Sequence, residues 1–343
     1  MEGIVRAWAR IVAGYRPSLS VEITRECPLS CPGCYAYGTN HLGGETTLRQ
    51  LADYRGDELV SRFFDLVRVH KPLHLSIVGG EPLVRYRELN AILPRLARMG
   101  VYTQLVTSAV RRIPTEWATL RRLQIVASID GLQPEHDARR QPATYDRILK
   151  HIDGHRITVH CTITRQQTRR AGYLEEFVRF WSDQPAVKNI WISTYTPQIG
   201  EISDERLTPA DRARVVEELL DLRTRYPKLQ MPPALIQALA NPPASPAECT
   251  FARTTTCLSA NLEKEITPCQ FGGRPDCANC GCIASAALAA VARHRLAGRI
   301  PVGAIFEQSL RIGDRVRQLR EHREHGSQAT GTQHISGPEL NRR

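Results

Sequence analysis

Cys27, Cys31 and Cys34 stand in one short loop, VEITRECPLSCPGCYAYG over residues 21–38, with three residues between the first pair and two between the second. Three thiolates are one short of the set that closes a structural zinc site, so a coordination position is left for something else. Soft thiolates in a tight loop also suit a [4Fe-4S] cluster, where three cysteines would leave one iron without a protein ligand. Pro28 and Pro32 restrict the segments between the cysteines, and Gly33 permits the turn that convergent sulfurs need. A zinc knuckle completed by a histidine, such as His41, is the other reading of the same spacing.

A second cysteine field follows far downstream. Cys249, Cys257, Cys269, Cys277, Cys280 and Cys282 lie within thirty-four residues, and only Cys161 stands alone. Clustering of this kind reads as metal ligation in a reducing compartment rather than as a disulfide framework, which makes a cytoplasmic location the expectation. SANLEKEITPC, from Ser259 to Cys269, reads as a turn and short hairpin with Cys257 and Cys269 at its ends, which Cys277 and Cys280 can meet. Four convergent thiolates would close a cluster or a zinc site.

The 343 residues are enough for an enzyme core and a small second module, and the hydrophobic (42%) and charged (24%) fractions are ordinary for a globular chain. No apolar run reaches the roughly eighteen residues of a membrane span, and no signal-peptide pattern opens the chain. The net charge of +11 permits nucleic acid, anionic lipid or an acidic substrate without choosing among them. No aromatic residues alternate with arginines as a base-stacking surface would need, so nucleic-acid binding is not expected. Residues 3–15 place Ile4, Trp8, Ile11 and Val12 on one side of a helix. Such a basic amphipathic segment either closes the core or makes peripheral membrane contact.

The elements that position the first loop repeat a rhythm. Strand patterns fall at 18–24, 73–80, 102–108, 123–130, 156–164 and 189–196, separated by helical patterns at 59–69, 87–99, 114–120, 143–152 and 172–182. Alternation of this kind predicts parallel βα units, with reactive groups at the C-terminal ends of the strands. The cysteine loop follows the first strand and Gly79-Gly80-Glu81-Pro82 follows the second. Thr107 and Ser108 end the third strand, Ser128 and Asp130 the fourth, and Thr162 and Thr164 the fifth. His160 and Thr162 are two apart and share a face, whereas Cys161 on the other face reads as a small packed hydrophobe.

The cysteine loop followed by GGEP resembles the radical S-adenosylmethionine (radical SAM) superfamily over residues 18–200. The resemblance implies an α/β partial six-stranded (β/α)6 barrel with a small cysteine-rich C-terminal extension. It implies that Cys27, Cys31 and Cys34 hold a [4Fe-4S] cluster whose open iron takes the amino and carboxylate groups of S-adenosylmethionine. One electron, from a donor such as flavodoxin or ferredoxin, would then give a 5′-deoxyadenosyl radical. Gly79, Gly80 and Glu81 would receive the amino group, Ser108 and Ser128 the carboxylate or ribose oxygens, and Asp130 the ribose hydroxyls, unless Asp130 instead caps the next segment. Thr162 would touch cofactor or substrate. Gly33 stands where many members carry an aromatic residue against adenine, and Tyr35 offers a ring only from another direction.

The second cysteine field resembles the SPASM and twitch auxiliary-cluster modules of that superfamily, with Lys264 where their hairpin has glycine. A second [4Fe-4S] cluster on Cys257, Cys269, Cys277 and Cys280 is the expectation, with Cys249 or Cys282 as substitutes and zinc as the alternative metal. The division expected is an amphipathic helix (1–17), the core (18–200), a helical and proline-rich connector (201–248), the cluster region with its helices (249–323) and a mobile tail (324–343). The substrate expected is a peptide or a small biosynthetic intermediate. An inactive iron–sulfur or zinc interaction protein is the competing class.

Overall fold

The computed structural model describes residues 2–44, 46–142, 145–296 and 298–329. The chain opens with helix α1 (Glu2–Val12) and strand β1 (Ser18–Glu22), and after the cysteine loop alternates α2 (Gly56–His70), β2 (His74–Val78), α3 (Tyr86–Met99) and β3 (Tyr102–Thr107). Next come β4 (Leu123–Ser128), α4 (Gln133–Arg139), α5 (Tyr145–His151), β5 (Ile157–Ile163), the short α6 (Arg165–Thr168), α7 (Tyr173–Asp183) and β6 (Val187–Thr194). The remainder is α8 (Pro209–Arg225), α9 (Pro233–Ala240), α10 (Thr250–Thr254), β7 (Thr255–Leu258), α11 (Ile283–Arg293), the two-residue β8 (Arg295–Leu296) and β9 (Ile300–Pro301), and α12 (Val302–Ala329).

Every strand expected from the sequence forms, but the sheet has seven strands, in the order β6-β5-β4-β3-β2-β1-β7. All neighbours run parallel, and β7, from the cysteine-rich region, pairs with β1 from Ser18–Thr255 to Val21–Leu258. The six-strand expectation is corrected by this addition. Four residues carry no period of their own, and their partner lies over two hundred positions upstream.

The pleat sorts the side chains. Leu19, Val21, Leu75, Ile77, Leu105 and Val159 are buried toward the helices. There they meet Leu59, Phe63 and Val67 of α2 and Phe177 and Trp181 of α7 in one core. The opposite face is polar, with Ser20, Ser76, Gln104 and Gln124 in one register row and Ser128 beside His160 and Trp191 in another. Parallel direction brings the end of every strand to one rim, which is why the cysteine loop and GGEP meet there.

Local signals explain the helix limits. Thr208 and Asp211 form a reciprocal capping box ahead of Pro209, which occupies the first turn where no donor is needed. Within the proline-rich connector Pro232 stands at the cap of α9 and Pro233 in its first turn, whereas Pro242, Pro243 and Pro246 lie in the irregular segment that follows. The pattern at 114–120 closes as a 3-10 turn, Thr115–Thr119. Helix α1 closes the molecule against α12: Trp8 meets Phe306 edge to face with 6.1 Å between centroids, and Ile11 packs with Val302 and Leu310. Of the expected tail, 324–329 continue α12, and 330–343 lie outside the described residues. Among the described residues no helix is long and apolar enough to cross a membrane.

Candidate functional site

The cysteine loop is tied down at both ends. Glu26 receives Arg85 at 2.9 Å and also pairs with Arg55, while Arg85, itself 4% exposed, holds Asp53 with its other nitrogen. Tyr37 donates to the Arg25 carbonyl at 2.8 Å, and Ser30 donates its amide to the Gln141 carbonyl at 2.6 Å. Gly33 turns through φ +67°, a backbone angle that glycine adopts without strain. Cys27, Cys31 and Cys34 are all half-buried, and Cys31 and Cys34 lie near enough to add to the charging cost of Cys27. Burial pushes the Cys27 thiol up to about 11; burial also raises Cys31, against the opposing charge of Arg140. Thiols so placed need a cationic centre to become thiolates, so this donor set fits an iron–sulfur cluster.

GGEP is locked to the same loop. Gly80 and Glu81 donate their amides to Thr24 at 2.9 Å and Glu26 at 2.8 Å. A Cβ on Gly80 would lie 2.2 Å from the Glu26 carbonyl oxygen, and Gly79 holds φ +135° with Thr24 O 2.8 Å from any Cβ. The Glu81 carboxylate is fully buried, accepting from Leu83 N at 2.9 Å, Ser108 N at 2.7 Å and the Thr107 hydroxyl. Burial raises this carboxyl, and the three donors hold it against that cost. Glu81 thus welds the end of β2 to the end of β3.

Arg140 is a site residue that the sequence reading missed. It donates to Asp130 at 2.7 Å and to the Ser108 hydroxyl at 2.9 Å, so Asp130 is an ion-paired acceptor rather than a backbone cap. Burial opposes the Asp130 charge, but Arg140 and Arg139 overcome it and hold the carboxyl well below its usual range. Only the register of α4 above the strand ends creates this pair, so no local motif announces it. Ser128 and His160 line the polar face together, and Thr162 stands next along it beside Ser193. Burial drops His160 to about 4; its Nε2 lies 2.7 Å from the Ser193 hydroxyl, so it is neutral. Cys161 is buried in the outer core with its thiol raised by burial.

Tyr35 and His41 face the C-terminal region instead. The Tyr35 ring packs 5.1 Å from Phe271 and 5.7 Å from His41, centroid to centroid. Both His41 nitrogens are engaged, Nε2 with Glu22 at 2.9 Å and Nδ1 with the Phe271 carbonyl at 3.1 Å, which leaves none for a metal. Glu22 also accepts from Ser259 at 2.6 Å, so this buried group joins β1 to the residues after β7. Burial alone would lower His41, but its bond to Glu22 and that carboxylate's charge raise it above the ordinary histidine value. Its contribution to stability is therefore full below about pH 6.5 and is lost as pH rises through the elevated value. Unfolding midpoints followed across that window should fall for the native chain, and His41→Gln should lose this component.

The second field forms an apolar-walled cavity lined by Cys249, Cys269, Cys277, Cys280 and Cys282 together with Phe271 and Pro246. Cys257 is absent from that lining; it is 2% exposed, level with Ser20 on β1 and packed on Leu42 and Ile266. The hairpin between Cys257 and Cys269 forms through Ser259 N to Lys264 O at 2.9 Å and Ile266 N to Cys257 O at 2.8 Å. Among the described residues no three ligand-type side chains converge as they would on a single ion. Burial raises Cys269 to about 12 and Cys277 to about 11, so this cavity too suits thiolates only alongside a compensating charge.

Comparison with known proteins agrees with this geometry. Residues 13–132 match the family model described as a 4Fe-4S single cluster domain. PqqA peptide cyclase from Methylocella silvestris is 35% identical over 92 residues, 27% of this chain and 22% of the relative. The enzyme of the same name from Rhodopseudomonas palustris is 36% identical over 90 residues, 26% of this chain and 22% of the relative. The chain thus spans about a fifth of the length of these curated relatives. Streptococcus suis SuiB, solved bound to the precursor peptide SuiA, superposes with a TM-score of 0.53 at 15% identity, over 76% of this chain and 61% of that one. The cysteine loop and GGEP both lie within the matched residues 13–132, and the parallel core is similar in fold to SuiB.

Proposed function

We propose that this protein reductively cleaves S-adenosylmethionine and abstracts hydrogen from a peptide or small biosynthetic substrate, with a second metal centre aiding electron transfer or substrate positioning. The observation that carries the reading is the single rim on which the cysteine loop, GGEP and the Arg140–Asp130–Ser108 group are hydrogen-bonded into one unit. A bound cluster and S-adenosylmethionine would supply one-electron cleavage of the sulfonium bond to a 5′-deoxyadenosyl radical.

The chain's own residues would do the rest. Cys27, Cys31 and Cys34 hold the cluster, and the backbone of Gly79 and Gly80 receives the amino group, with Glu81 fixing that segment. Arg140 and Ser108 offer donors for a carboxylate, and Asp130, held ionised by Arg140, accepts from the ribose hydroxyls. Ser128 and Thr162 line the polar face of the parallel sheet toward the substrate. Tyr35, turned to Phe271, is assigned to the contact between the two cysteine regions. A flavodoxin- or ferredoxin-type donor supplies the electron. The radical-generating core is assigned to 18–200, the connector to 201–248 and the second centre to 249–323.

For that second centre we favour a [4Fe-4S] cluster over zinc, on ligands from the cavity set, with Cys249 or Cys282 in the place of Cys257 beside Cys269, Cys277 and Cys280. A peptide substrate is supported by the curated relatives, both named for a peptide they act on. Anaerobic reconstitution followed by reduction should yield 5′-deoxyadenosine. An intact reduced cluster that forms none would overturn the proposal in favour of a binding role.

A further inference from the structure

Arg212 stands on the first turns of α8, 7% exposed, and points into the cysteine-rich region. Its guanidinium donates to three carbonyls: Leu239 at 2.9 Å, Cys280 at 3.0 Å and Asn279 at 2.7 Å. The nearby Asp276 carboxylate is already engaged by Arg206 and by the Asn279 amide, each at 2.8 Å. Among the described residues Arg212 has no ion-pair partner. A buried guanidinium facing only carbonyls is costly to desolvate and is ordinarily matched by negative charge. The group it faces across the Cys280 backbone is the five-cysteine cavity. A closed set of thiolates outweighs the positive charge of the cluster it holds, so the cavity becomes anionic when loaded.

We propose that Arg212 is a positioning residue for the second centre: it fixes the backbone that presents Cys277 and Cys280, and its charge favours the reduced state of the metal held there. This rests on the reading that the cavity holds a redox-active cluster. A fixed positive charge close by stabilises the more negative state, so the potential is raised. Arg212→Gln keeps two N–H donors for the carbonyls and removes the charge, whereas Arg212→Lys keeps the charge and loses the planar fork.

The test is a spectroscopically monitored redox titration of the anaerobically reconstituted full chain, with iron and zinc analysis of the same samples. For Arg212→Gln, the reduction equilibrium of the second centre should weaken about tenfold, near 59 mV for a one-electron couple. The potential of the Cys27–Cys31–Cys34 centre should stay in place, and Arg212→Lys should titrate near the native value. If both variants lose metal equally and the centres that do assemble keep the native potential, Arg212 is merely structural and the inference fails. A native chain with zinc or no second cluster overturns the underlying reading as well, which the metal analysis shows before any variant is made.

Discussion

Cys31→Ala should abolish formation of 5′-deoxyadenosine while leaving part of the iron in the protein. Cys31 is the middle cysteine of a loop whose ends are fixed independently, by Arg85 on Glu26 and by Tyr37 on the Arg25 carbonyl. Losing its thiol leaves two sulfurs where a cluster needs three, yet touches none of the bonds that fold the loop. The C-terminal cavity lies in a separate cysteine set and should load as before. Iron content and cleavage rate, measured on the same reconstituted sample, check both halves. A rate equal to that of the native chain would refute the assignment of this loop.

Gly80→Ala should be nearly as damaging by another route. The added methyl would fall 2.2 Å from the Glu26 carbonyl oxygen and 2.6 Å from its carbon, both backbone atoms of the cluster loop. The two segments must part, and a displacement of roughly an ångström between reacting groups costs about a hundredfold in rate. Cluster absorbance should survive, because the cysteines remain, whereas cleavage should fall by about that factor. Glu81→Gln attacks the same joint more gently. The carboxylate accepts from three donors, and an amide presents N–H to at least one of them, leaving a buried donor unmatched at about 1–3 kcal/mol. Binding of S-adenosylmethionine by calorimetry should weaken in Glu81→Gln before stability does.

What the sequence disclosed follows from where the information sits. The cysteine loop, GGEP and the strand rhythm are local, so spacing and period reveal them directly. Arg140, just past the end of α4, and Arg212, on α8, are ordinary arginines until these helices are laid over the strand ends, and their partners are set only in three dimensions. The ligand set of the second field was open for the same reason: Cys257 and Cys269 bracket a hairpin, but β7 takes Cys257 into the sheet, and Cys249 arrives at the cavity from the preceding segment. Glu22 reads as the polar half of an alternating strand. Its burial against His41 and Ser259 depends on chain more than two hundred residues later.

Strand β7 gives the C-terminal third a second duty. It covers the border of β1, from Ser18 to Val21, with main-chain hydrogen bonds. Cutting the protein ahead of Thr255 to obtain a minimal catalytic fragment would strip that border and present a row of bare amides and carbonyls to any other chain. Such a fragment should self-associate rather than behave as a small soluble catalyst. Engineering of this scaffold therefore has to retain the last strand even where the cysteine-lined cavity is dispensable.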